Sequence, residues 1–200
     1  MLILKSLRSE ELKMARLAVL ASGNGSNFEV IAEKLKTSTH TLACMICDKR
    51  SAFAFERAAK LDIPAYYVNY AGRDRRAAEQ EITAILLEEK ADLISLAGFM
   101  RLLTPDFVDR FSSRIINIHP SLLPKYPGTH GIEEGFNSGD KELGITIHRV
   151  DHGLDTGPVI MQKLFIRRGD ETLDEIETKV HELEHIWYPA MLLEILDSIN

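Results

Sequence analysis

No run in the 200-residue sequence is long and apolar enough to span a bilayer, so no membrane role is expected. An excess of basic charge is missing too: 24 Lys and Arg stand against 30 Asp and Glu, giving a net charge of −6 and a pI near 5.7. A broad nucleic-acid interface needs a basic face, so no nucleic-acid partner is expected, and any anionic ligand must be met by donors gathered at one place. Cysteine is nearly absent. Cys44 and Cys47 lie in Leu42-Ala43-Cys44-Met45-Ile46-Cys47, an apolar run that reads as a buried strand. Alternation turns the two thiols to opposite faces, which suits neither a disulfide nor a shared metal. Reduced core cysteines and a cytoplasmic location are the expectation. No internal repeat, low-complexity tract or secretory leader is evident.

What the sequence does contain is regular. Hydrophobic residues make up 45%, enough for a substantial core. Strands are expected at Leu17–Ala21, Thr41–Asp48, Ala65–Val68, Ala91–Ala97, Arg114–His119, Glu142–Val150 and Val159–Ile166. Helices are expected at Phe28–Leu35, Phe53–Leu61, Arg73–Lys90, after Thr104-Pro105, at Ile132–Asn137, and from Thr172 past Pro189 toward Asn200. Thr104 is placed as an N-cap, and Thr172 with Glu175 as a capping box. This alternation predicts an α/β, Rossmann-like, doubly wound and mostly parallel twisted sheet with helices on both faces. Residues 1–14 are read as an N-terminal extension and 15–200 as a single domain.

Two stretches carry chemistry. Ser22-Gly23-Asn24-Gly25-Ser26-Asn27 joins the first strand to a helix. Glycines let backbone N–H groups approach a ligand, and a helix N-terminus favours negative charge, so a phosphate site is expected. The third glycine of the dinucleotide fingerprint is absent, and no Lys-Ser/Thr follows Gly25 as in a Walker loop. A plain tight turn with an Asn or Ser cap stays open. The second stretch is Asn117-Ile118-His119-Pro120-Ser121-Leu122-Leu123-Pro124. Asn117 and His119 are two apart on a strand, so both point to one side at its carboxyl end. A carboxamide beside an imidazole suits a developing oxyanion and a moving proton. A strand end with a capping Asn and a surface His is the plain alternative.

Other patterns tempt less. His181-Glu182-Leu183-Glu184-His185 matches H-E-x-x-H, but the metzincin extension fails at Tyr188 and Met191, leaving no third ligand in view. Asp155-Thr156-Gly157 occurs once, whereas aspartic-protease chemistry needs two such carboxylates. His148 on a strand reads more as a core residue than as a catalyst. Arg73, Arg75 and Arg76 crowd a helix start against its dipole, which fits either an anionic ligand or a solvated cluster.

Together with Ala97-Gly98-Phe99-Met100-Arg101 and Leu154-Asp155-Thr156-Gly157-Pro158-Val159-Ile160, these two stretches resemble the phosphoribosylglycinamide formyltransferase family of the formyltransferase superfamily, folate-dependent enzymes of purine synthesis. The resemblance covers about residues 15 to 199. It implies transfer of the formyl group of 10-formyltetrahydrofolate to the amine of N1-(5-phospho-D-ribosyl)glycinamide, in IMP synthesis, through a tetrahedral intermediate and without a metal. It further implies Asn117, His119 and Asp155 as the catalytic trio, with Asn117 and His119 donating to the formyl oxygen and Asp155 favouring the charged imidazole. Gly25, Ser26, Asn27 and Glu184 would hold the ribonucleotide. Arg75, Met100, Arg101, Leu102, Leu103 and the loop Asp151, His152, Gly153, Leu154 and Asp155, with Asn117, would hold the folate. The expected partners are these two small molecules alone, in a monomer or a homodimer. Gly131 and Ile132 depart from the family pattern, which has a second histidine at position 132. A 10-formyltetrahydrofolate hydrolase and a non-catalytic nucleotide-binding module are the alternatives.

Overall fold

The computed structural model describes residues 14–199; the expected N-terminal extension lies almost wholly outside them, as does the last residue of the final helix's expected course. Among the described residues, one seven-stranded sheet has the order β3-β2-β1-β4-β5-β6-β7. Its strands are β1 (Arg16–Ala21), β2 (Thr41–Cys47), β3 (Ala65–Tyr67), β4 (Leu93–Leu96), β5 (Ile115–His119), β6 (Glu142–Arg149) and β7 (Val159–Ile166). The first five run parallel, β6 pairs antiparallel with β5, and β7 pairs antiparallel with β6 and so runs in the direction of the first five. The helices are α1 (Ser26–Leu35), α2 (Ala54–Lys60), α3 (Arg75–Glu88), α4 (Pro105–Arg110), α5 (Gly131–Ser138) and α6 (Leu173–Asp197). The strand order reverses between β1 and β4, which opens a crevice above their carboxyl ends.

Period-two alternation in the parallel strands feeds a core on each face. Leu17 and Val19 of β1 join the cluster under α1, α2 and α6, whereas Ala18 and Leu20 join the one under α3 and α4. The two cysteines divide in the same way, Cys47 to the first cluster and Cys44 to the second. Burial pushes the Cys44 thiol up to about 12, so neither reactivity nor pairing is favoured.

Local chemistry sets the helix ends. The Thr104 hydroxyl accepts from the Phe107 N–H with Pro105 at the first turn, and Thr172 and Glu175 form the reciprocal capping box. Asp74 caps α3, so that helix starts at Arg75 rather than Arg73. α1 starts at Ser26, ahead of the apolar pattern that begins at Phe28, which places Ser26 and Asn27 in its first turn. α6 continues through Pro189 to Asp197. Beneath the crevice, the buried Tyr188 hydroxyl of α6 lies 3.0 Å from the Leu96 carbonyl of β4 and 2.9 Å from the Ile116 carbonyl of β5.

Candidate active site

A cavity of about 580 Å³ lies over the carboxyl ends of β1, β4 and β5. That is the size of a small-molecule site. It is lined by Ser22–Asn27, Leu96–Leu103, Asn117–Pro120, His148, the Val150–Asp155 loop except His152, and His181 and Glu184 of α6.

The glycine turn forms one wall. Gly25 has φ 76°, and an added Cβ would sit 2.8 Å from the Ala54 side chain of α2. Only glycine fits both demands. No side chain caps α1, and the N–H groups of Gly25, Ser26 and Asn27 have no acceptor among the described residues. Uncapped donors at a helix N-terminus form an anion site. Asn27 donates to Glu184 at 2.9 Å, and its Oδ1 is buried without a partner among the described residues. Glu184, 4% exposed, also meets His181 Nδ1 at 2.9 Å. The bond to Glu184 raises the His181 pKa above its ordinary 6.5, which favours its cation beside the turn. Gly25→Ala is expected to lower stability by about 2–4 kcal/mol, from left-handed strain and overpacking, and to weaken anion binding at the turn. Urea denaturation and phosphate titration check the two effects.

Four polar side chains meet at the end of β5. The antiparallel register sets Asn117 opposite His148, so both project to the same side. Asn117 Nδ2 lies 3.1 Å from His148 Nε2 and 3.4 Å from Asp155 Oδ1. His148 Nδ1 is 2.9 Å from the Arg149 carbonyl, which assigns it the proton and leaves Nε2 to accept from the Asn117 amide. His119, 3% exposed, has Nε2 2.8 Å from the Tyr126 carbonyl and Nδ1 3.4 Å from Asp155 Oδ2. A Cβ on Gly131 would reach 3.1 Å from His119 Nε2, so this departure from the family pattern gives the ring room against Tyr126. Asp155 also accepts from the Gly128 N–H at 2.8 Å. Burial alone would raise its pKa, but the Gly128 N–H and the charge on His119 together hold it below its ordinary 3.8, while His148, whose Nε2 accepts from Asn117, lies 3.7 Å away. Asp155 has φ 55°, in a loop where a side chain on Gly157 would collide with the Arg149 carbonyl. The loop thereby aims the carboxylate inward.

The β4 turn supplies an apolar rim. Met100, Leu102 and Leu154 are each more than half exposed at the cavity mouth, while Leu103 is buried. Arg101 turns its guanidinium to Asp48 at 2.6 Å. Asp151 holds its own loop by accepting from Gly153 N–H and the Thr156 hydroxyl.

Two expected folate contacts do not line the cavity. Arg75 donates to the Leu102 carbonyl at 3.0 Å and braces the rim from outside. His152 turns away to Asp109 at 2.7 Å. Arg73 pairs with Glu81 and Arg76 with Asp106, so protein carboxylates answer two of the three clustered arginines. His148, 2% exposed, is a buried strand residue that also forms part of the cavity wall, and His181 of the H-E-x-x-H stretch lines the cavity too. Among the described residues, no group of three or more His, Cys, Asp or Glu is spaced for a metal. No helix among them is long and apolar enough to cross a membrane.

Comparison with known proteins agrees with this geometry. The chain is 43% identical over 190 residues to phosphoribosylglycinamide formyltransferase of Bacillus subtilis, covering 94% of this chain and 97% of that protein. It is 36% identical to the trifunctional purine biosynthetic protein adenosine-3 of Drosophila melanogaster, spanning 92% of this chain and 14% of that much longer protein. The crystal structure of glycinamide ribonucleotide transformylase 1 from Geobacillus kaustophilus superposes with a TM-score of 0.88 at 39% identity, over 92% of this chain and all of that one. Residues 15–192 match the formyl transferase family profile, and the chain belongs to that family.

Proposed function

We propose that the protein transfers the formyl group of 10-formyltetrahydrofolate to the amine of N1-(5-phospho-D-ribosyl)glycinamide, a step of purine nucleotide synthesis. One observation carries the reading: a single cavity joins an uncapped helix N-terminus, an apolar rim and the cluster of Asn117, His119, His148 and Asp155. The phosphate binds the N–H groups of Gly25, Ser26 and Asn27, and Glu184 holds the polar middle of the ribonucleotide. Met100, Leu102, Leu103 and Leu154 take the flat ring of the folate.

The glycinamide nitrogen attacks the formyl carbon, and negative charge builds on the formyl oxygen. In the free protein, Asp155 holds two donors in place through long contacts, each 3.4 Å, to Asn117 Nδ2 and His119 Nδ1. Such loose contacts tighten or exchange when a reacting group arrives. Both donors turn from Asp155 to the formyl oxygen, and the freed carboxylate draws the proton from the attacking nitrogen, directly or through water. The intermediate collapses as the bond from carbon to folate N10 breaks and N10 takes a proton. The net result is one formyl group moved one way and one proton the other. Ser121 is not a nucleophile in this scheme, because its hydroxyl is already committed to the Lys125 carbonyl at 2.5 Å.

Residues 15–200 act as one catalytic domain in this reading, in the cytoplasm. All the site residues come from one chain, so a monomer and a homodimer with two independent sites serve equally. The test supplies 10-formyltetrahydrofolate with and without the ribonucleotide. Tetrahydrofolate should appear only with the ribonucleotide and in equal amount to formylated product. Release without the acceptor would identify a hydrolase, and no release in either case a non-catalytic module.

A further inference from the structure

The glycine turn presents N–H groups to the cavity, so its carbonyls must be held on the other side. α2 does this. The Ala54 N–H donates to the Gly23 carbonyl at 3.3 Å. Arg57, one turn further along α2, donates from Nε to the Asn24 carbonyl at 3.0 Å and from Nη2 to the Asn24 side-chain oxygen at 2.9 Å. Its remaining arm, Nη1, reaches the Glu29 carboxylate of α1. The guanidinium also lies over the Phe53 ring, 5.0 Å from its centroid. Arg57 itself does not line the cavity.

We infer that Arg57 is a positioning residue for phosphate binding: its fork fixes the Asn24 peptide so that the next three N–H groups converge on the anion. The inference rests on the proposed placement of the ribonucleotide phosphate at Gly25–Asn27. The Gly25 carbonyl, at the N-cap, accepts the first helical bond from the Glu29 N–H at 3.0 Å, so the Asn24 carbonyl lies outside the α1 ladder and the Arg57 Nε–H holds it instead. Gly25 in the left-handed region makes this turn mobile unless something holds both sides, and the planar fork of arginine does so with little loss of side-chain freedom. Lysine offers a point charge on a flexible stem and cannot bond the Asn24 carbonyl and carboxamide together in that geometry.

Two variants separate position from charge. Arg57→Met keeps an apolar stem over Phe53 but leaves Glu29 without its cation, near the anion. Arg57→Lys keeps Glu29 neutralised and loses only the fork. In both, the KM for the ribonucleotide should rise about tenfold, as two hydrogen bonds are lost, while kcat and the folate KM stay within about twofold. The affinity of the free protein for inorganic phosphate, followed by 31P NMR titration, should fall by a similar factor. The decisive readout is the glycinamide riboside without phosphate: its kcat/KM should be the same in wild type and Arg57→Lys. Equal losses for riboside and ribonucleotide, or full restoration of ribonucleotide KM by lysine, would overturn the inference. So would an unchanged ribonucleotide KM in both variants. A wild-type protein that formylates neither acceptor would instead reject the proposed function, and the phosphate titration would still report on Arg57. The Arg57 and Glu29 side chains are both partly buried, 18% and 29% exposed, so circular dichroism spectra establish that both variants fold before kinetics.

Discussion

Asp155→Asn should lower kcat by about a thousandfold, within the 10²–10⁴ range of general acid–base catalysis, with the folate KM within about twofold of wild type. The substitution keeps the shape, and the new side-chain oxygen can still accept from the Gly128 N–H. It removes the negative charge that faces His119 and Asn117 and replaces one acceptor oxygen by a donor nitrogen. Two donors then oppose the amide of Asn117 or the ring of His119, so the pair is no longer held toward the formyl oxygen. Steady-state kinetics and binding of an inert folate analogue separate the two effects. A fall in folate affinity as large as the fall in kcat would assign Asp155 to binding.

The pH dependence follows from the sign of the same shift. The folded Asp155 pKa lies below its ordinary 3.8, so its contacts stabilise the fold above about that pH and are lost as pH falls further through the folded value. Any rate loss caused by protonating Asp155 is therefore confined to strongly acid solution. Across the neutral range the carboxylate remains ionised, as the proposed proton transfer requires.

Asn117→Ala should lower kcat by about 10²–10³, the typical cost of one oxyanion donor, and should leave ribonucleotide affinity near wild type. The carboxamide has no partner in the glycine turn, so its loss does not reach the phosphate. It does leave His148 Nε2 without its 3.1 Å donor. His148→Ala acts on the same amide from the other side, and its effect should therefore be less than additive with that of Asn117→Ala. Thermal melts of the single variants show whether packing has changed as well.

Much of the site was legible because its signals are local. Asn117 and His119 lie two residues apart on one strand, and the glycine turn follows a strand and precedes a helix; neither inference needs a distant contact. The sequence does not place the buried His148 beside Asn117, because that pairing comes from an antiparallel register across 31 residues, which β6 alone does not state. The alternation in β6 does put Thr146 and His148 on one face, and that was the available clue. His181 hid inside a zinc-like pattern, while the Glu184 carboxylate is shared with Asn27, 157 residues away. Arg75 and His152 do not line the cavity because Arg75 donates to the Leu102 carbonyl and His152 meets Asp109, contacts across 27 and 43 residues that no local pattern shows. Arg57 gave no signal, since a lone arginine on an amphipathic helix looks like any solvated charge.

The most direct measurement is the distance from Asn117 Nδ2 to the formyl oxygen in a crystal structure of the protein with the ribonucleotide and a non-transferring 10-formyl folate analogue. That distance should be about 2.7–3.1 Å, with the acceptor nitrogen about 3–3.5 Å from the formyl carbon and the 3.4 Å contact between Asn117 and Asp155 lengthened. A formyl group bound away from Asn117, His119 and Asp155, with those three still bonded to one another, would contradict this mechanism.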